Sequence, residues 1–188
     1  MLNKNLETEL NKQQILPILN TTELRDDIKR LEVFLSNNSN IKNIEITLRQ
    51  EDSFEIAKEI NKNFTKINFG LGSILSERDY LKGKDAGFHF FVSPGIVTSL
   101  VKNKVTNYIP GGETISEFMY LLDSGYKNIK FFPSNLAGGH KKLVSIENIL
   151  KEASFIPTGG INKKNYMEYV SLKNVLCVGM AKFDEKIF

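Results

Sequence analysis

Short apolar runs of strand length alternate with amphipathic stretches of helical period along nearly the whole chain. The runs are "QILPIL" (14–19), "NIEITL" (43–48), "KINFGLGS" (66–73), "FHFFVS" (88–93), "NYIPG" (107–111), "NIKFFP" (128–133), "SFIPTGG" (154–160) and "NVLCVGM" (174–180), and each predicts a β-strand. The intervening segments predict helices at 21–38, 51–64, 76–86, 96–104, 114–125, 139–151 and 162–172. Leu24, Ile28, Leu31 and Leu35 share one face of the first helix, with Thr21 or Thr22 placed to cap it. Ser76 is the expected cap of 76–86, and Gly125 the expected end of 114–125.

Strict alternation of strand and helix implies a parallel sheet with right-handed crossovers. Eight such strands fit a closed (β/α)8 barrel at least as well as an open doubly wound sheet. Ser73, Ser93, Pro110, Pro133, Gly159 and Gly179 all fall at C-terminal strand ends, the active-site face of a barrel, which favours the closed form. No linker divides residues 1–188, so a single α/β barrel domain is expected, with 1–13 as an N-terminal extension. After the eighth run only "AKFDEKIF" remains, so a shortened or missing C-terminal helix is expected. The N-terminal segment is then expected to pack near that gap, and Ile15, Val175 and Cys177 to line an outer surface left for a partner.

Composition narrows the class. With 188 residues, 41% hydrophobic and 25% charged, the chain reads as an ordinary globular protein. The net charge of +3 comes from scattered basic residues, such as Lys141 and Lys142 or Lys163 and Lys164, which argues against nucleic acid and allows anionic substrates. No run approaches the ~20 apolar residues of a membrane span. The polar N-terminus lacks a signal-peptide core, so a cytoplasmic location is expected, with no membrane partner. Cys177 is the sole cysteine and sits in an apolar run, as a small buried hydrophobe would. His89 and His140 have no metal-ligand partners at standard spacing.

One residue breaks the apolar pattern where it matters. Lys130 lies between Ile129 and Phe131 on a run that reads as buried, and stripping an ammonium of water normally costs several kcal/mol. Side chains alternate along a strand, so Lys130 and Phe132 face inward while Ile129 and Phe131 face the helices. The same rule puts Glu45, Thr47 and Arg49 on the inner face and Ile44, Ile46 and Leu48 on the outer one. Lys130 and Glu45 then share one space. Two readings stand. Desolvation disfavours an ammonium, and a neutral amine attacks a carbonyl to form a Schiff base, with a nearby carboxylate carrying protons. Alternatively, Lys130 and Glu45 form a structural ion pair. Arg49 suits a substrate carboxylate. Gly159 and Gly160 follow the seventh strand and precede a helix, where backbone N–H groups can meet an anion, and Gly179 ends the eighth strand.

Taken in order, "IEITLR", "GLGS", "VSPG", "IPGGETISE", "IKFFPSNLAGG", "IPTGGI" and "LCVGM" resemble the motifs of the class I 2-keto-3-deoxy-6-phosphogluconate (KDPG) and 4-hydroxy-2-oxoglutarate (KHG) aldolases, over about residues 14 to 182. The resemblance implies a homotrimeric (β/α)8 barrel with no metal and no cofactor, acting in Entner–Doudoroff carbohydrate metabolism. It implies Lys130 as the Schiff-base lysine and Glu45 as general acid/base. It implies Arg49, Ser73, Pro94, Phe132 and Thr158 as the pocket for a 2-keto acid, and Gly159, Gly160, Gly179 and Met180 as phosphate-binding turns. The chain departs from the pattern in lacking the usual C-terminal helix and at two positions of the site. Asn20 or Thr21 stands where family members often carry a cation, and Ala181 stands where they carry a serine, so an unphosphorylated 2-keto acid is an open option. Another phosphate-binding barrel enzyme, such as an isomerase or a thiamin-phosphate-synthase-like protein, and a non-catalytic barrel are the alternatives.

Overall fold

A computed structural model describes residues 1–181. Its elements in chain order are α1 (Lys4–Gln13), β1 (Ile15–Asn20), α2 (Leu24–Asn37), β2 (Asn43–Thr47), α3 (Ser53–Asn63), β3 (Asn68–Gly72), α4 (Glu77–Asp85), β4 (Phe90–Val92) and α5 (Thr98–Lys102). They continue with β5 (Tyr108–Ile109), β6 (Gly111–Gly112), α6 (Ile115–Asp123), β7 (Asn128–Phe131), α7 (Gly139–Ile146), β8 (Ser154–Pro157), α8 (Tyr166–Val170) and β9 (Val178–Met180).

All the strand pairings are parallel, in two sheets ordered β5-β4-β3-β2-β1-β9 and β6-β7-β8. Isolated parallel bridges at Phe155–Val175 and Thr158–Gly179 join β8 to β9. The other seam runs through Pro110. The expected strand 107–111 is split there into β5 and β6, because proline carries no N–H for a ladder. The carbonyls still serve both neighbours: Ser93 N–H donates to Ile109 O at 3.2 Å, and Lys130 N–H donates to Pro110 O at 2.9 Å. The strand thus pairs with β4 before the proline and with β7 after it. The result is the closed (β/α)8 arrangement, not an open sheet.

Period-two patterning sorts the side chains as expected. Ile44, Ile46, Phe69, Leu71, Phe91, Ile129 and Phe131 face outward into the main core, against Leu31, Phe34, Ala57, Ile60, Leu121 and Leu143 of the helices. Burying each such side chain contributes roughly 1.5–3 kcal/mol, which makes this shell the main source of stability. Ser76 accepts from Asp79 N–H at 3.2 Å, as a cap should. Thr114 forms a capping box with Glu117, and Gly125 adopts φ 90° just past the end of α6. Neither Thr21 nor Thr22 caps α2. Its N-cap is Glu23, and buried Asp27 accepts from Thr22 N–H at 2.8 Å instead, while Thr21 donates to Ser53 Oγ. The helices of the last two repeats and the last strand are shorter than their sequence patterns, the intervening residues forming turns.

The N-terminal segment does not sit at the outer gap. Helix α1 closes the floor of the barrel, where Leu6 and Leu10 pack against the inward side chains Leu16, Phe90, Val92, Ile109, Ile156 and Cys177. The expected truncation after β9 lies outside the described residues. Ile15, Val175 and Cys177 are all buried, so they form no outer surface for a partner. Ile15 and Val175 lie under helices in the outer core, and Cys177 points into the interior. Burial, reinforced by the Glu45 charge, pushes the Cys177 thiol far above its ordinary range. The native protein is therefore expected to resist iodoacetamide for hours, with stoichiometric labelling appearing only on denaturation. Fast labelling of the folded chain would contradict this placement.

Candidate active site

The inward residues stack in layers. On β1, Leu16 belongs to the apolar interior and Ile18, one inward step higher, reaches the cavity above it. On β2 the inner face reads Asn43, Glu45 and Thr47, with Arg49 just past the strand; on β7 it reads Asn128 and Lys130, followed by Phe132. The C-terminal ends of the strands enclose a cavity of about 110 Å³. Glu45, Thr47, Arg49, Ser73, Pro94, Lys130, Phe132, Thr158, Gly159, Gly160 and Gly179 line it.

Lys130 Nζ donates to Glu45 Oε1 at 3.1 Å, with Oε2 at 3.5 Å. The lysine side chain is 8% exposed and the carboxylate 1%. The two groups reach each other across the barrel because the residues beside them are small. A Cβ on Gly72 would collide with the Glu45 carboxylate, and one on Gly179 would collide with Thr158 Oγ1. The Phe132 ring lies under Lys130, its centroid 5.6 Å from Nζ. Ser73 adopts φ 61° at the end of β3, a left-handed conformation uncommon for a side-chain-bearing residue and found disproportionately at functional sites. Arg49 is exposed at the rim, a planar cation beside the buried pair. The Gly159–Gly160 turn, with φ of 103° and 71°, borders the cavity on the side of Ala181. This set can form an imine, move protons beside it and hold a carboxylate.

Ten of the eleven residues expected at the site line this one cavity. Met180 does not. Its side chain is 1% exposed and belongs to the outer core, since it alternates with Gly179 on β9. Ala181 takes the lining position beside it. Sequence reasoning missed Ile18 and Ile161 as lining residues, and placed Thr47 on the inner face without giving it a role. Thr47 donates to Asn20 Oδ1 at 2.8 Å, so Asn20 is tied to the cavity wall. The position of Ile18 two residues beyond inward Leu16 was the available signal. His89 is exposed, and His140 pairs with Glu168 at 3.2 Å on the outer helices, away from the cavity. Among the described residues no group of three or more His, Cys, Asp or Glu is arranged to hold a metal ion. No helix among them is long and apolar enough to cross a membrane.

Known proteins resemble this chain in sequence and in fold. The KHG/KDPG aldolase of Escherichia coli K12 is 32% identical over 176 residues, covering 92% of this chain and 82% of that one. The crystal structure of the Legionella pneumophila KDPG aldolase, with pyruvate captured at low pH as a covalent carbinolamine intermediate, superposes with a TM-score of 0.84 at 33% identity, covering 92% of this chain and 84% of that one. The KDPG aldolase of Zymomonas mobilis ZM4, solved with 3-phosphoglycerate, gives a TM-score of 0.86 at 28% identity, with coverage of 95% and 86%. A family model described as KDPG and KHG aldolase matches residues 6–187. With its motifs in order, its strands closed into the same barrel and this match along nearly its full length, the chain belongs to the KDPG and KHG aldolase family.

Proposed function

We propose that the protein is a class I aldolase that cleaves a 2-keto-4-hydroxy acid to pyruvate and an aldehyde through a Schiff base on Lys130. The observation that carries this reading is the buried contact of Lys130 Nζ with Glu45 Oε1 at 3.1 Å, inside a cavity rimmed by Arg49. Glu45 is placed to take a proton from Nζ, freeing the amine's lone pair to attack C2 of the substrate. Glu45 then returns its proton to the carbinolamine hydroxyl, which leaves as water to give the iminium and restores the carboxylate. The same carboxylate takes the C4-hydroxyl proton, C3–C4 breaks, and the bond pair moves into the iminium to form an enamine while the aldehyde leaves. Proton return to C3 and hydrolysis release pyruvate and restore the lysine. Arg49 holds the substrate carboxylate, with the hydroxyls of Ser73 and Thr158 beside it and the rings of Pro94 and Phe132 walling the pocket. Treating the enzyme with pyruvate and borohydride tests the reading directly, because reduction fixes the imine as a stable adduct. An active enzyme that takes no label would refute it.

The distal end of the substrate meets Gly159, Gly160, Gly179 and Ala181. Backbone N–H groups in such turns accept an anion, but Ala181 donates nothing from its side chain and Asn20 brings no charge to the β1 end. A missing charge-assisted hydrogen bond is worth ~1.5–3 kcal/mol, or roughly a ten- to hundredfold change in preference. The enzyme is therefore expected to accept KDPG with only a modest advantage over its unphosphorylated counterpart, and Ala181→Ser is expected to widen that advantage about tenfold. Comparing kcat/KM for the two substrates in both proteins checks this. A large wild-type preference for phosphate that the serine leaves unchanged would end the idea.

A homotrimer belongs to the same proposal, as does cytoplasmic operation in the Entner–Doudoroff route. Ile115, Met119 and Tyr120 on α6 and Val144 on α7 are exposed apolar side chains, and a face of this kind gains by burial against a partner. Light scattering at micromolar concentration is expected to give three times the chain mass, and a monomer would refute the trimer.

A further inference from the structure

Lys130 and Glu45 meet across the barrel, and no neighbouring ladder sets the gap between them. Strand β7 lies four steps from β2 by way of β8, β9 and β1, and four by way of β6/β5, β4 and β3. Small changes in the cross-section of the barrel therefore change the distance between the nucleophile and its base. One element spans the same two strands directly. Helix α1 crosses the floor, and its carboxylates reach the strand starts below the reacting pair. Glu9 Oε2 accepts from the Asn43 amide at 3.2 Å and from the Asn68 amide at 3.2 Å. Glu7 Oε1 accepts from the Asn128 amide at 2.9 Å. Buried Gln13 clasps the start of β2, accepting from Lys42 N–H and Asn43 N–H at 3.0 Å and donating to Ile15 O and Asn43 O at 2.7 Å. Asn43 stands one inward step below Glu45, and Asn128 one inward step below Lys130.

We infer that α1 is a brace across the barrel floor that fixes the separation of Lys130 and Glu45, with Glu7, Glu9 and Gln13 as its positioning residues. The inference rests on the aldolase reading for its kinetic consequence and on geometry alone for its structural one. The brace is specific in kind. Leu6 and Leu10 plug the floor and contribute burial, whereas the carboxylates tie two opposite strands at defined heights. Loss of part of the plug removes burial while the ties still hold β2 and β7 in place, and loss of the ties frees those strands to shift against each other.

The test compares three proteins at a temperature where all are folded. Glu7→Ala with Glu9→Ala removes both ties. Glu7→Gln with Glu9→Gln keeps an acceptor oxygen at each. Leu6→Ala weakens the plug and leaves the ties in place. With 4-hydroxy-2-oxoglutarate as the probe, the alanine pair is expected to lose about 10- to 100-fold in kcat, the scale of misplacing a reacting group by about 1 Å, with KM changed about twofold or less. The glutamine pair is expected to recover most of the loss, and Leu6→Ala to lower Tm while keeping kcat. An unchanged kcat in the alanine pair, or an equal loss in Leu6→Ala, would overturn the brace. A crystal structure of the alanine pair tests the brace independently of chemistry. The Lys130–Glu45 distance is expected to lengthen beyond the ion-pair limit of about 4 Å, and a value still near 3.1 Å would overturn the brace even if the wild type proved to be no aldolase. A wild type that pyruvate and borohydride fail to label sinks the aldolase reading and leaves that distance to decide the brace.

Discussion

Lys130→Ala is expected to abolish both turnover and pyruvate trapping. In the wild type, borohydride should add one pyruvyl-derived mass to the peptide carrying Lys130, and in the variant to none. Loss of a covalent nucleophile from a preorganised site costs on the order of 10⁶-fold in kcat. The substitution also strands the Glu45 carboxylate, and leaving one partner of a buried pair uncompensated destabilises by roughly 3–5 kcal/mol. An inactive, partly unfolded protein would prove nothing about chemistry. Lys130→Arg separates the two effects. A guanidinium keeps a cation beside Glu45 but forms no imine, so a folded and silent arginine variant points to the nucleophile. Retained trapping in either variant, or label on another lysine, would remove Lys130 from the mechanism.

For Glu45→Gln the expectation is a loss of about 10²–10⁴-fold in kcat, the usual range for removing a general acid–base group. That is about 3–5 kcal/mol on the barrier. Glutamine has the same shape, fits the space left by Gly72 and still offers an oxygen to Lys130 Nζ, so the fold should hold. The chemistry should separate into steps. In the proposed mechanism Arg49 and the hydroxyls, not Glu45, hold the substrate carboxylate, so KM is expected to move far less than kcat. Near-normal turnover would make Glu45 only a structural counter-ion, which is the second reading that its position in the sequence allowed.

The difference between those readings marks how far the sequence reaches. Period-two alternation on "NIEITLR" and "NIKFFP" was enough to turn Glu45, Arg49 and Lys130 toward one space, because a parallel strand with helices on one side has only one place for polar side chains. The family resemblance implied Met180 at the site, where alternation with Gly179 turns it to the outer core instead. The strand break at Pro110 was written in the sequence, but only the pairing partners on either side show that the chain changes sheets there. The cap of α2 was misplaced because buried Asp27 accepts from both the N–H and the hydroxyl of Thr22, which ties up that threonine's side chain as a donor. Least legible was α1. A helix laid across the end of a barrel buries a narrow stripe, here Leu6 and Leu10, and the rest of "KNLETELNKQ" looks like a solvated tail. The partners that tie its acidic residues to the barrel are strand starts 34 to 121 positions away, a distance no local pattern reports.

The empty place at Gly72 has a consequence for how this chain can change. The inner face of β3 carries no side chain at positions 70 and 72, and the vacated volume is occupied by Phe90 and by the Glu45 carboxylate. Position 72 and position 45 thus hold one volume between them. A mutation to alanine at 72 is harmful while glutamate remains at 45, and a shorter acid at 45 falls short of Lys130 while glycine remains at 72. What fits at 72 therefore depends on the length of the acid at 45, and changes at the two positions are expected to be non-additive. Libraries that vary the two positions together are therefore expected to reach combinations that varying either one alone does not.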